Sequence, residues 1–203
     1  MTEQAQESRE WSRSEVMAAL RNILVESLGV KDEEVVPSAS VVRNLGAESI
    51  DFLDVSFQIQ QTFGVNIQAA EIRDKIIAWG ALILPTLVEI LEARYGVKLS
   101  GETLRPLESS GIEGVLDHVR TAHGVTIEPG AADAVGRELL RRLIKEFTAF
   151  GFVVSDADER DLLTIMRADL GTRRITERTM DLLTVGSLAN FICVKLGPRL
   201  HAE

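Results

Sequence analysis

A single cysteine, Cys193, occurs in 203 residues, so no internal disulfide can form and the framework of a small secreted domain is excluded. A reducing cytoplasm is the expected setting. Positive charge is scarce as well: 22 Lys and Arg against 31 Asp and Glu leave a net charge of −9. A binder of nucleic acid needs clustered cations for the phosphates, so no nucleic-acid partner is expected. Long apolar runs are missing, because the most apolar uncharged stretch, residues 76–88, contains Pro85 and falls short of the roughly 20 residues that cross a bilayer. No transmembrane segment is expected. The three histidines lack metal-ligand spacing, and there is no C-x-x-C, H-E-x-x-H or acidic calcium loop, so no metal site is expected. Neither a glycine-rich phosphate loop nor a G-x-S-x-G elbow is present, which removes the visible equipment of a nucleotide enzyme or hydrolase.

What remains is an ordinary globular composition, 45% hydrophobic and 26% charged, with only 5% aromatic residues. Apolar positions recur at helical spacing with Gly at the ends of segments, and strict alternation is confined to short fragments. An all-α protein is predicted. Residues 1–11 are polar and read as a flexible tail without the apolar core of a signal peptide. The first helix opens at Ser12, with Glu15 placed to complete a capping box, and carries Val16, Leu20, Ile23, Leu24 and Leu28 as one stripe before Gly29. Residues 30–48 form a long loop. A second helix over residues 49–63 has two apolar stripes, Ile50, Leu53 and Phe57 on one and Phe52, Val55, Ile59 and Phe63 on the other. One can meet the core, and the other must meet something else. A short helix over residues 69–77 and another from Gly80 to Tyr95 follow.

The punctuation Phe63-Gly64-Val65-Asn66-Ile67 recurs as Tyr95-Gly96-Val97-Lys98-Leu99, His123-Gly124-Val125-Thr126-Ile127 and, loosely, Phe150-Gly151-Phe152-Val153-Val154. Each closes a helix with Gly followed by an apolar residue that can fold back on the last turn. Further helices are predicted over residues 111–122, 131–150, 156–169 and 184–196, the last capped by Thr184 and stopped by Gly197-Pro198.

The stretch richest in chemistry is Asn44-Leu45-Gly46-Ala47-Glu48-Ser49-Ile50-Asp51-Phe52-Leu53-Asp54. Gly46 permits a tight bend, and Ser49 then stands at a helix N-terminus, where an attached phosphate would meet the positive end of the helix dipole. Glu48, Asp51 and Asp54 give that helix start an acidic exterior. A plain N-cap serine would have the same local sequence.

These residues resemble the acyl carrier protein family, a four-helix bundle with a Gly-x-Asp-Ser-Leu motif opening the second helix. Here the match is Leu45-Gly46-Ala47-Glu48-Ser49-Ile50, followed by Phe63-Gly64-Val65-Asn66-Ile67, which looks like the family's Phe-Gly-Ile-x-Ile. The resemblance implies an acyl-carrier-like bundle over residues 12–98. It implies that a phosphopantetheinyl transferase attaches a 4′-phosphopantetheine arm to Ser49, that the arm's thiol holds acyl groups as thioesters, and that the chain is not itself an enzyme. On this reading Phe52, Val55 and Ile59 line the shelter for the acyl chain. Glu48, Asp51 and Asp54 meet the acyl-loading and acyl-modifying enzymes. The family's usual Asp and Leu are replaced by Glu48 and Ile50, and Gln58, Gln60 and Gln61 occupy positions that are often acidic, which suits a specialised fatty-acid, lipid or polyketide-type pathway. A helical protein-interaction module of the same shape, without the prosthetic group, is the alternative.

Residues 99–203 have no counterpart in a minimal carrier and read as a helical extension or a degenerate carrier-like repeat. Leu170-Gly171-Thr172-Arg173-Arg174-Ile175 imitates the motif loop but puts Arg174 where Ser49 stands, whereas Leu183-Thr184-Val185-Gly186 looks like the Thr-Val-Gly that opens the family's last helix. A second topology follows from that likeness, in which everything between Ile67 and Thr184 is an insertion and the helix after Thr184 closes the bundle.

Overall fold

A computed structural model describes residues 9–149, 151–180 and 182–201. The α-helices in chain order are α1 (Arg13–Leu28), α2 (Asp51–Phe63), α3 (Ala69–Gly80), α4 (Ile83–Tyr95), α5 (Gly101–Leu104), α6 (Gly111–His123), α7 (Ala131–Ala149), α8 (Asp156–Ala168), α9 (Thr172–Met180) and α10 (Val185–Leu196). No strand forms among the described residues, only the isolated bridges Trp11–Leu200 and Ser40–Thr184. The all-α class is the one the periodicity predicts.

By its contacts the chain divides into two compact units. The first comprises Met1–Lys75, Ala149–Val153 and Met180–Glu203; the second comprises Ile76–Thr148 and Val154–Thr179. The division therefore does not fall at the expected residue 98. The helix expected to complete the first bundle, α4, belongs to the second unit, and α10 takes that place by packing on α1.

In the first unit α1 forms as its caps dictate. The Ser12 hydroxyl accepts from the Glu15 amide, the Glu15 carboxylate accepts from the Ser12 amide, and Gly29 ends the helix in the left-handed conformation. The buried stripe Val16, Leu20, Ile23 and Leu24 faces α2 and α10. Helix α10 is apolar almost all round, with Val185, Leu188, Ala189, Phe191, Ile192, Cys193 and Leu196 buried and Val194 and Lys195 exposed, the pattern of a helix covered over most of its circumference. Its start is covered by the long loop, since the Val185 and Gly186 amides donate to Ala39 and Pro37 carbonyls at 2.9 Å. A Cβ on Gly186 would lie 3.0 Å from the Pro37 oxygen, so only glycine fits without displacement. Farther along, Phe191 meets Phe152 edge-on with centroids 5.0 Å apart, and the Val153 amide donates to the Ser187 hydroxyl at 2.9 Å.

The tail expected over residues 1–11 lies outside the described residues up to Ser8. Trp11 does not belong to a tail: it is buried, its ring 4.6 Å from that of Phe63, and its amide donates to Arg199. An aromatic ring of this size stabilises most where it loses most water, which overrides the polar residues before it.

The second unit has its own core. The Trp79 indole N–H donates to the Leu143 carbonyl at 2.7 Å and its ring lies 4.9 Å from that of Phe147, while α6 packs on α8. Arg178 pairs with Asp161 at 2.8 Å and Asp158 at 3.5 Å. The stretch 170–175, read as an imitation of the motif loop, leads into α9 with Ile175 buried. Phe150, in the loosest echo of the glycine punctuation, lies outside the described residues. One stretch, Ala69–Tyr95, is long and apolar enough to cross a membrane by length and composition. It is interrupted by a turn at Ala81–Leu82, and it buries Ile72, Ile76, Trp79, Ile83, Leu87, Ile90 and Leu91 inside the protein.

Candidate functional site at the entry to α2

The loop before α2 is held by its own side chains. The Ser40 amide donates to Asn44 Oδ1 at 2.8 Å and the Arg43 amide to the Ser40 hydroxyl at 3.0 Å, local bonds that favour a turn over a continued helix. The Val41 amide donates to the Leu183 carbonyl at 2.8 Å, which ties the loop to the approach of α10. Gly46 then turns the chain with φ +72°, a conformation in which a side chain would be strained. Leu45 and Ala47 on either side of it are buried.

Ser49 is exposed and lies two residues before the first residue of α2. It does not cap the helix. The N-cap position is Ile50, without a side-chain bond, and the turn is closed instead by Asp51, whose carboxylate accepts from the Glu48 amide at 2.7 Å while its amide donates to the Glu48 carbonyl at 3.1 Å. The Ser49 hydroxyl therefore has no described partner.

Beside it opens a cleft of about 770 Å³, lined mainly by Ala47, Phe52, Ile72 and Leu183, with Ser49, Glu48 and Arg73 among the polar groups. Phe52, expected to line an acyl shelter, lies in the wall of this cleft. Val55 and Ile59 are buried in the core and are not part of the cleft wall. The deeper face of α2 goes to α1, and of that stripe only Phe52, at its margin, reaches the opening, where Ile50 of the other stripe joins it. Ile72 could have been read from the apolar spacing of α3; Leu183, more than a hundred residues away, had no local signal.

The three expected acids differ in what they do. The Glu48 carboxylate is exposed without a described partner, Asp51 closes the turn, and Asp54 accepts from the Ser27 hydroxyl at 2.6 Å and from Gln58 at 3.0 Å. Next to them the other apolar stripe stands in solvent, with Ile50, Leu53 and Phe57 at 68%, 66% and 58% exposure. Among the described residues no cluster of His, Cys, Asp and Glu could hold a metal ion.

Comparison with known proteins matches residues 18–75 to the family described as the phosphopantetheine attachment site. The acyl carrier protein of Thermotoga maritima is 32% identical over 72 residues, which are 36% of this chain and 88% of that protein. The acyl carrier protein of Karelsulcia muelleri is 31% identical over 64 residues, 32% of this chain and 76% of its own length. No solved structure matches the chain.

Proposed function

Because the chain belongs to the acyl carrier protein family, whose function is to carry acyl groups and whose covalent cofactor is 4′-phosphopantetheine, we propose that Ser49 is the residue that takes the arm. The observation that carries this reading is an exposed hydroxyl, uncommitted to any cap, at the rim of an apolar cleft. The residues fit the group: the oxygen is accessible to a transferase, Gly46 brings the loop round without crowding it, and the cleft has room beside it for chain and tether. When bound, the arm supplies a thiol that holds the acyl group as a thioester.

The protein's own residues do the sheltering and the presenting. Phe52, Ala47, Ile72 and Leu183 take the acyl chain out of water, each buried methylene being worth about 0.8 kcal/mol. Val55 and Ile59 anchor α2 in the core. The exposed ridge Ile50, Leu53 and Phe57, edged by Glu48, Asp51 and Asp54, meets the transferase and the enzymes that load and modify the acyl group. With Asp51 and Asp54 already engaged inside the chain, and Gln58, Gln60 and Gln61 following them, the face depends more on apolar contact than on charge. This suits a dedicated client in a specialised lipid or polyketide-type pathway. The second unit, with Arg174 in the imitated motif, serves as an unmodified attachment, and a reducing cytoplasm is the proposed location.

The test is to incubate the full chain with coenzyme A and a promiscuous phosphopantetheinyl transferase. Wild type should gain the mass of one phosphopantetheine and Ser49→Ala should gain none. No gain with several transferases would favour an interaction module that has the carrier shape and lacks the prosthetic group.

A further inference from the structure

The cleft beside Ser49 is lined mostly by apolar side chains, yet it includes one guanidinium. Arg73 comes from α3, beyond the whole of α2 from the motif, and lines the same opening as Ser49. An arginine is a poor choice for a wall that only has to shelter a hydrocarbon, because covering it strips water from a charge without compensation. It is a good choice for an oxyanion, which its planar donors bind two at a time.

The other cations of α3 and α10 are occupied. Lys195 pairs with Glu71 at 2.9 Å, and Lys75 lies over the Phe191 ring at 5.6 Å. Arg73 has only its chain neighbour Asp74 at 3.9 Å among the described residues, with the side chain 62% exposed. At that distance and exposure the pair holds it weakly.

Resting on the reading of Ser49 as the attachment point, we infer that Arg73 is the anion-holding residue of the cleft. It binds an oxyanion brought there by the arm and so selects what the cleft retains. Two groups can supply that oxyanion: the phosphodiester that joins the arm to Ser49, or a carboxylate on the acyl group itself. Glu48, at the Ser49 side of the opening, repels either anion from its own position and favours its settling at Arg73.

The full-length chain is loaded by the transferase from coenzyme A, butyryl-coenzyme A or succinyl-coenzyme A, and loading is verified by mass. The Arg73 Nε–H resonance, assigned by its loss in Arg73→Gln, is then followed through the unloaded and the three loaded forms. A downfield shift already present with the bare arm and unchanged by the acyl group supports the inference and assigns the phosphodiester. A shift that appears only with succinyl supports it and assigns the carboxylate. In the second case Arg73→Gln should also make the succinyl thioester several-fold more reactive toward hydroxylamine while leaving the butyryl thioester at its wild-type rate. A resonance that stays in place in every loaded form overturns the inference and leaves the reading of Ser49 standing. Failure to load at Ser49 overturns that reading and this one with it.

Discussion

Serines stand before several helices of this chain, and three of them, Ser12, Ser100 and Ser155, cap with the hydroxyl as Ser49 does not. The Ser12 hydroxyl accepts from the Glu15 amide at 3.1 Å, Ser100 from Thr103 at 3.2 Å and Ser155 from Asp158 at 3.3 Å. Before α2 that kind of task falls to Asp51, and Ser49 is left outside the helix. A hydroxyl spared from capping costs the fold little to modify, which is what a carrier needs. The same logic applies to the ridge on α2: Leu53 and Phe57 contribute little to folding because they stay in water. Leu53→Ser and Phe57→Ser should each change the unfolding free energy by less than about 0.5 kcal/mol in urea titrations. Each should raise the transferase KM for the chain by about fivefold or more, the loss of about 1 kcal/mol expected of an apolar residue central to an interface. Unchanged KM values in both variants would remove the ridge from the docking face.

At the scale of the element, α1 shows how local chemistry sets a helix before any packing. The Ser12 amide, donating to the Glu15 carboxylate, holds that carboxyl below its ordinary value of 4.5, with the Ser12 hydroxyl and Arg9 acting in the same direction. A carboxyl whose pKa is lower in the folded than in the unfolded chain contributes stability above about its unfolded value and loses it as the pH falls through the folded value. The capping contribution of Glu15 should therefore be constant near neutral pH and decline on acidification below 4.5. Thermal melts of wild type and Glu15→Gln should differ in midpoint near neutrality and converge in acid; a gap independent of pH would refute the box as an ionic cap. Cap residues, apolar stripe and terminal glycine of α1, and likewise Thr184 and Gly197 around α10, were legible in the sequence because a helix and its caps are made by neighbours a few residues apart. The start of α2 was less so: the sequence puts Ser49 at the helix terminus, whereas the helix opens two residues later at Asp51, whose carboxylate closes the turn.

At the scale of the whole molecule, the first unit is completed by a helix from the far end of the chain. Truncation after Lys98 retains the motif and the four helical segments first assigned to the bundle, but it removes Val185, Leu188, Ile192 and Leu196 from the core. At about 1.5–3 kcal/mol for each buried aliphatic side chain, that loss rivals the entire 5–15 kcal/mol stability of an ordinary domain. The truncated chain should lack a cooperative thermal transition and should be a poor transferase substrate, as circular dichroism and the mass assay would record. A sharp transition for residues 1–98 would show that α4 can substitute for α10.

The sequence by itself determined the helical class, the positions of most helices and the one motif whose chemistry points to a carrier, since hydrogen-bonding turns, caps and stripes are short-range properties of neighbouring residues. Which helix closes the first unit, that Trp11 is core and not tail, and that Leu183 and Arg73 share a cleft with Ser49 were decided only by tertiary packing. The physical reason is that closing a longer loop costs only about 0.6 kcal/mol more for each doubling of its length. The chain pays almost no penalty for choosing a distant partner over a near one, so the better apolar fit of α10 on α1 outweighs proximity in sequence.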